Sequence, residues 1–203
     1  MLQERLNNVK QNNKSVEYSF NHSGWKELRA DQIEDWKGSP ETGVDAKRLR
    51  ELANKMLALP KDKPFYDKVI KIFEGRQEMI DTTDKLDWSM GELLAYASLL
   101  DEGFNVRMSG QDVERGTFAH RHATLTLADT DEEYTPLQHV VDNKTQFEIY
   151  NSLLSEYAVL GFEYGFSWSA PYTLTLWEAQ FGDFVNGAQI IIDQYISSAE
   201  TKW

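Results

Sequence analysis

Residues 151–189 read NSLLSEYAVLGFEYGFSWSAPYTLTLWEAQFGDFVNGAQ, and the fold is decided there. Ser152 and Ser155 are helix-capping residue types, since a hydroxyl can accept from an otherwise unpaired first-turn N–H. An apolar, glycine-dotted helix is predicted to about Ser167, and Pro171 cannot continue it. Tyr172 to Trp177 alternate threonine with large apolar side chains, the pattern of a buried strand. Beyond a Gly-Asp loop, Val185, Ala188, Ile191, Ile192 and Tyr195 keep helical spacing. Helix, strand, helix in this order predicts an α/β layer architecture. One carboxylate, Glu156, opens the first of these helices.

Upstream of this stretch the chain supplies the other layers. Met1 to Asp35 is polar and asparagine-rich, with a short helix expected near its start and Tyr18, Phe20, Trp25 and Trp36 as candidate anchors. A Gly- and Pro-containing loop over 36–43 precedes a helix opened by Asp45, with Leu49, Leu52, Ala53, Met56 and Leu57 on one face. A second amphipathic helix is predicted from Phe65 to Ile80 on Tyr66, Val69, Ile72, Phe73 and Met79. A third starts near Trp88, with Glu92 spaced to form a capping box with Ser89, and Gly103 stops it. Phe104 to Ser109 alternates as a strand and delivers the chain into a polar loop, Gly110 to His122. Short strands are expected over 123–127 and 147–150, with an acidic turn over 128–134. In open α/β sheets ligands sit beyond the carboxyl ends of strands, which makes the loop after Ser109 a binding candidate.

Composition narrows the function. The 203 residues carry 33 acidic against 21 basic side chains, a net charge of −12, which disfavours nucleic acid and anionic membrane as partners. With no cysteine, disulfide scaffolds, thiolate nucleophiles and Cys-type zinc sites are excluded. No apolar run is long enough to span a bilayer, and the first residues lack the apolar centre of a secretory signal.

Three constellations carry candidate chemistry. His120 and His122 would face the same side of a strand and, with Asp112 or Glu114, could begin a metal site. The competing reading is a loop that bonds a polar ligand or its own backbone, and the glycine and acid spacing of the cupin HxH pattern is missing. Glu156 can be read as a first-turn acid that complements the helix dipole. Flanked by Leu153, Leu154, Tyr157, Val159 and Leu160, it can also be read as a buried carboxylate. Phe181 and Phe184 suit either core packing or contact with a flat ring, and Glu178 adds a second carboxylate near a strand end. Gly182-Asp183-Phe184 lacks the second glycine of a diphosphate-binding GDG motif.

Four stretches carry a resemblance: SGQDVERGTFAHRHA (109–123), YTPLQHV (134–140), YNSLLSEYAVLGFEYGFS (150–167) and LWEAQFGDFVNGAQIIIDQYISSAETKW (176–203). Leu86 to Trp203 resembles the pyrimidine-binding domain of the thiamine-diphosphate-dependent 2-oxoglutarate dehydrogenases. The match weakens upstream, where 40–44 and GRQEMI (75–80) look like the family's lead-in. The resemblance implies a transketolase-like pyrimidine-binding domain over 85–203, with a mostly parallel sheet between helices, incomplete at its C-terminal end. A helical or irregular lead-in segment occupies 1–84.

The implied activity is oxidative decarboxylation of 2-oxoglutarate, a tricarboxylic-acid-cycle step, with the succinyl group passed to the lipoyl domain of a dihydrolipoyl succinyltransferase. Glu156 matches the glutamate that bonds N1′ of the aminopyrimidine and helps it exchange a proton, which calls for a shielded carboxyl. Phe184 matches the aromatic residue packed on that ring, with Phe181 beside it, and Gln111 and Leu154 match cofactor-lining positions. His120 and His122 fall in a loop near the site. Mg²⁺ and the diphosphate would be held by a separate diphosphate-binding domain of a dimer mate, so this chain is expected to be a piece of a longer enzyme and inactive alone. The implied compartment is the bacterial cytoplasm, or the mitochondrial matrix in a eukaryote. The alternative is a non-catalytic interaction module that keeps the fold.

Overall fold

Alternation along one strand divides the molecule. In β1 (Asn105–Gly110), Val106 and Met108 are buried on one face of the sheet, and Arg107 points to the other. The computed structural model describes residues 22–29, 33–82 and 85–199. The helix expected near the amino end falls outside these residues, as do Tyr18 and Phe20. Strand β1 is the centre of a three-stranded parallel sheet in the order β4-β1-β5, where β4 is Phe147–Asn151 and β5 is Thr173–Glu178. Val106 pairs with Phe147 on one side and Leu174 on the other, so the three carboxyl ends lie level at Asn151, Gly110 and Glu178. A two-stranded antiparallel ribbon, β2 (Leu125–Thr126) with β3 (Glu133–Tyr134), lies in the excursion between β1 and β4.

The Val106 face packs on three helices: α1 (Ala46–Leu57), α2 (Asp67–Thr82) and α3 (Trp88–Asp101). Leu52, Met56, Phe73, Leu93, Leu100, Met108 and Phe147 belong to one continuous core. Asp45 caps α1, accepting from the backbone N–H of Lys47 and Arg48. The capping box predicted for α3 is replaced by Asp87, whose Oδ1 accepts from Met90 N at 2.7 Å. Ser89 is buried and turns its hydroxyl to the carbonyl of His120 (2.5 Å), while Glu92 accepts from Tyr96 Oη (2.6 Å). Tyr66 is a second correction. It precedes α2 and is 52% exposed, because its neighbour Phe65 takes the inward place by bridging Leu127, and adjacent extended residues point opposite ways.

The opposite face of the sheet carries α4 (Glu156–Ser169). Arg107 donates to Glu163 of this helix through Nε (2.8 Å) and Nη2 (3.0 Å), and to Glu148 of β4 (3.2 Å). Phe166 and Tyr150 face the guanidinium at 4.6 and 5.0 Å. Trp25, one of the candidate anchors, donates its indole N–H to the carbonyl of Trp168 at the end of α4 (2.8 Å). Past β5 the predicted regular helix is instead 3-10 over Gly182–Ala188, one α turn at Gln189–Ile191 (α5) and a π turn at Ile192–Ile196.

The polar loop after β1 is held in strained backbone conformations. Asp112, Ala119 and His122 hold φ values of 56°, 52° and 44°, each a conformation that costs a non-glycine residue about 1–2 kcal/mol. Two buried arginines hold it there. Arg121 donates to the carbonyl of Val113 (2.8 Å) and reaches Glu178 (2.6 Å) and Glu92 (3.0 Å). Arg76 of α2 donates to the carbonyls of His120 (2.9 Å) and Arg121 (2.6 Å). Burial and the nearby Arg76 cation hold the His122 imidazole below its usual pKa.

Two measurements check this account. Glu163→Ala leaves Arg107 buried with only the more exposed Glu148, and should destabilise the chain by about 3 kcal/mol in urea unfolding. An unchanged midpoint would remove the pair from the fold's support. A depressed folded-state pKa at His122 means its contribution is complete above about 6.5, the unfolded value, and is lost as pH falls through the folded value. His122→Gln should therefore flatten the acid limb of the stability profile below pH 6.5, read by thermal denaturation across pH.

Candidate functional site

The chain leaves β1 toward the α1–α3 face and leaves β4 into α4 on the opposite face. Connections that part in this way open a crevice between the two strand ends. Gln111 is the first residue past β1, and Glu156 is the first residue of α4 after β4. Ser155 caps α4 by accepting from Ala158 N (3.3 Å), so Glu156 sits in the electropositive first turn.

Gln111 is buried, and its amide joins three elements. Nε2 lies 3.4 Å from both Glu156 Oε1 and the carbonyl of Leu153, while Oε1 accepts from Gln180 N beyond β5 (3.2 Å). The other carboxylate oxygen faces Gly187, where an added Cβ would stand 3.2 Å from Oε2. Glu156 is thus fixed by one oxygen and lies close to the backbone through the other. Phe181 and Phe184 meet edge to face at 5.8 Å, and both are half-exposed. Phe118, from the β1 loop, meets Phe181 edge to face at 6.1 Å. A carboxylate backed by an amide donor, beside half-open aromatic rings, can receive the nitrogen edge of a flat heterocycle.

The shielding expected from the neighbours of Glu156 is not there. Leu153 and Leu154 are 84% and 81% exposed, and Tyr157 is 51% exposed. They form an outward apolar strip, because the residues around Glu156 in sequence lie on the open side of the rim rather than over the carboxylate. Leu154, read as a pocket residue, is on that strip.

His120 and His122 do not share a face. The segment is a loop with left-handed residues, and the two rings line different spaces. His120 borders a cleft of about 290 Å³ with Phe118, Glu178 and Phe181, whereas His122 borders a pocket of about 390 Å³ with Tyr66, Glu114 and Thr124. Among the described residues no group of three or more His, Asp or Glu side chains is placed to hold a metal ion. Glu178, the second carboxylate near a strand end, is ion-paired with Arg121 rather than set opposite Glu156. Arg76, Arg121 and Phe118 carry functional geometry that sequence reasoning missed. The one available signal was an arginine between two histidines in a loop flanked by glycines.

Among curated proteins, the chain is 52% identical over 162 residues to the 2-oxoglutarate dehydrogenase E1 component of Rickettsia felis, covering 80% of this chain and 17% of that protein. It is 48% identical over 170 residues to the protein of the same name from Coxiella burnetii, with 84% and 18% covered. Against the Haemophilus influenzae protein it is 45% identical over 188 residues, with 89% and 20% covered. The chain therefore spans a fifth or less of the length of these relatives. The family model described as "Transketolase, pyrimidine binding domain" matches residues 84–203, which include the whole crevice from Gln111 to Gly187. On that match the chain belongs to the transketolase pyrimidine-binding domain family.

Proposed function

We propose that this chain supplies the aminopyrimidine half of a thiamine diphosphate site in an enzyme that decarboxylates 2-oxoglutarate and passes the succinyl group to a lipoyl carrier. The observation that carries the reading is the buried Gln111 amide bonded to Glu156 across the crevice, with Gly187 against the carboxylate and Gln180, which leads into the Phe181–Phe184 pair, bonded to the same amide. These residues fit the cofactor's ring. The glycine leaves space over the carboxylate that a Cβ would fill, and the phenyl rings offer half-open faces.

When bound, thiamine diphosphate supplies a carbon that adds to a 2-oxo group and takes up the electron pair released with carbon dioxide. Glu156 holds or shares the proton at N1′ of the ring. Gln111 keeps Oε1 in place, so that the carboxylate does not reorganise when the proton moves. Phe184 would pack on the ring and Phe181 would close its side. We assign the site to 85–203 and regard 1–84 as the lead-in. The exposed Leu153, Leu154 and Tyr157 around Glu156 support completion of the site by a second surface, the diphosphate domain of a dimer mate, which would also bring Mg²⁺. No helix among the described residues is long and apolar enough to cross a membrane. We assign the reaction to the cytoplasm, a reading supported by the similarity to bacterial proteins.

Calorimetric titration of this chain with thiamine diphosphate and Mg²⁺ should show weak binding, about millimolar, because the phosphates and metal find no partner here. Nanomolar binding would contradict the half-site. In the full-length enzyme Glu156→Gln should lower 2-oxoglutarate decarboxylation by about 100-fold or more, with the circular dichroism spectrum unchanged. Near-normal turnover would remove Glu156 from its role.

A further inference from the structure

The imidazole of His120 lies flat against Gly116. A Cβ at Gly116 would come within 2.4 Å of Cε1 and 2.6 Å of Nδ1, so only glycine admits the ring. Nδ1 is buried and has no hydrogen-bond partner. Nε2 is not buried in this way, and the ring borders the 290 Å³ cleft. An imidazole with one hydrogen has one donor and one acceptor nitrogen. A buried N–H without an acceptor is the rarer and costlier of the two orphans. The hydrogen therefore belongs on Nε2, facing the cleft.

The backbone of His120 is held as firmly as its ring. Its carbonyl accepts from Ser89 Oγ at 2.5 Å and from Arg76 Nη2 at 2.9 Å. Ala119 before it and His122 after it are both left-handed. Arg76 is 3% exposed, lies over the Phe73 ring at 5.3 Å, and has Asp87 as its favourable charge partner without a direct salt bridge among the described residues. Its bonds go to Ser89 and to the carbonyls of His120 and Arg121. Left-handed residues on both sides and a buried cation bonded to its carbonyl hold His120 in one place, which points to a constrained role. Within the cleft, Phe118 and Phe181 form apolar walls, and the carboxylate of Glu178 is committed to Arg121. Through Gln180, the cleft adjoins the Gln111–Glu156 couple.

We propose that His120 is a substrate-binding residue: its Nε2–H donates to a carboxylate oxygen of the 2-oxo acid, and Arg76 positions it through its carbonyl. The assignment rests on the thiamine-site reading for the identity of the ligand, but the tautomer does not.

Two measurements separate these layers. In long-range ¹H–¹⁵N spectra of this chain labelled at histidine, the signals that disappear in His120→Gln should report hydrogen on Nε2. Hydrogen on Nδ1 would overturn the proposal whether or not thiamine diphosphate binds. In the full-length enzyme, His120→Leu should lower kcat/KM for 2-oxoglutarate by about 10- to 100-fold, the worth of one hydrogen bond to a charged group, and leave thiamine diphosphate affinity unchanged. His120→Gln, which keeps a side-chain donor, should retain at least about tenfold more kcat/KM than the leucine variant. Equal losses in both variants, or a loss of cofactor affinity in place of substrate affinity, would refute the donor role.

Discussion

The buried guanidinium of Arg121 is the constraint on which the arrangement of the rim depends. It is 1% exposed, and it ties the β1 loop to Glu178 at the end of β5 and to Glu92 on α3. A charge taken so far out of water is tolerated when its hydrogen bonds are satisfied, and here Val113 supplies a further acceptor. Tyr96 completes the arrangement. Burial and the Glu92 carboxylate push its phenol well above the usual range, so it stays a donor to that carboxylate. The outcome is a loop that cannot relax without stranding charge, and its left-handed residues persist because relaxation would cost more than the strain.

That rigidity is transmitted to the crevice through amides. Gly110 lets the start of the loop pass against β5, since a Cβ there would lie 2.1 Å from the carbonyl oxygen of Glu178. Gln111 then meets Gln180 on one side and Glu156 on the other. On the far face of the sheet, Arg107 locks α4 to β1 through Glu163. The helix that begins with Glu156 is thus tied to the sheet two turns beyond the carboxylate, and its start is placed by the β4 turn. Both ends of the Gln111–Glu156 contact are thus held by bonded groups, Gln180 N on one side and the Arg107–Glu163 pair on the other.

Much of the fold is legible in the sequence because periodicity reports burial. Val106 and Met108 alternate, Leu52, Ala53 and Met56 recur at helical spacing, and the α/β reading follows from these patterns. The proposed site is readable in LSEY and QFGDF because those stretches are contiguous. Three things are not. The cap of α3 belongs to Asp87, since Ser89 is drawn inward by a carbonyl 31 residues away. The shield of Glu156 was assigned to its chain neighbours, yet apolar residues next to a carboxylate in sequence can face away from it, as Leu153 and Leu154 do. The partition of His120 and His122 between two cavities depends on left-handed residues at Ala119 and His122, which no alternation rule anticipates in non-glycine positions.

The exposed apolar residues give the last step. Leu153, Leu154 and Tyr157 stand exposed on either side of Glu156 in the chain, and Phe118, Phe181 and Phe184 are half-open or more. Apolar surface of this extent around a carboxylate is unfavourable in water, and covering it would release water from the crevice as well. Water exclusion strengthens each electrostatic contact inside a site, including the long 3.4 Å bonds of Gln111, without moving the groups that make them. The same surface therefore does two things. On the proposed reading it makes the half-site adhesive toward its complement, and it would make the chemistry of Glu156 conditional on that complement being seated.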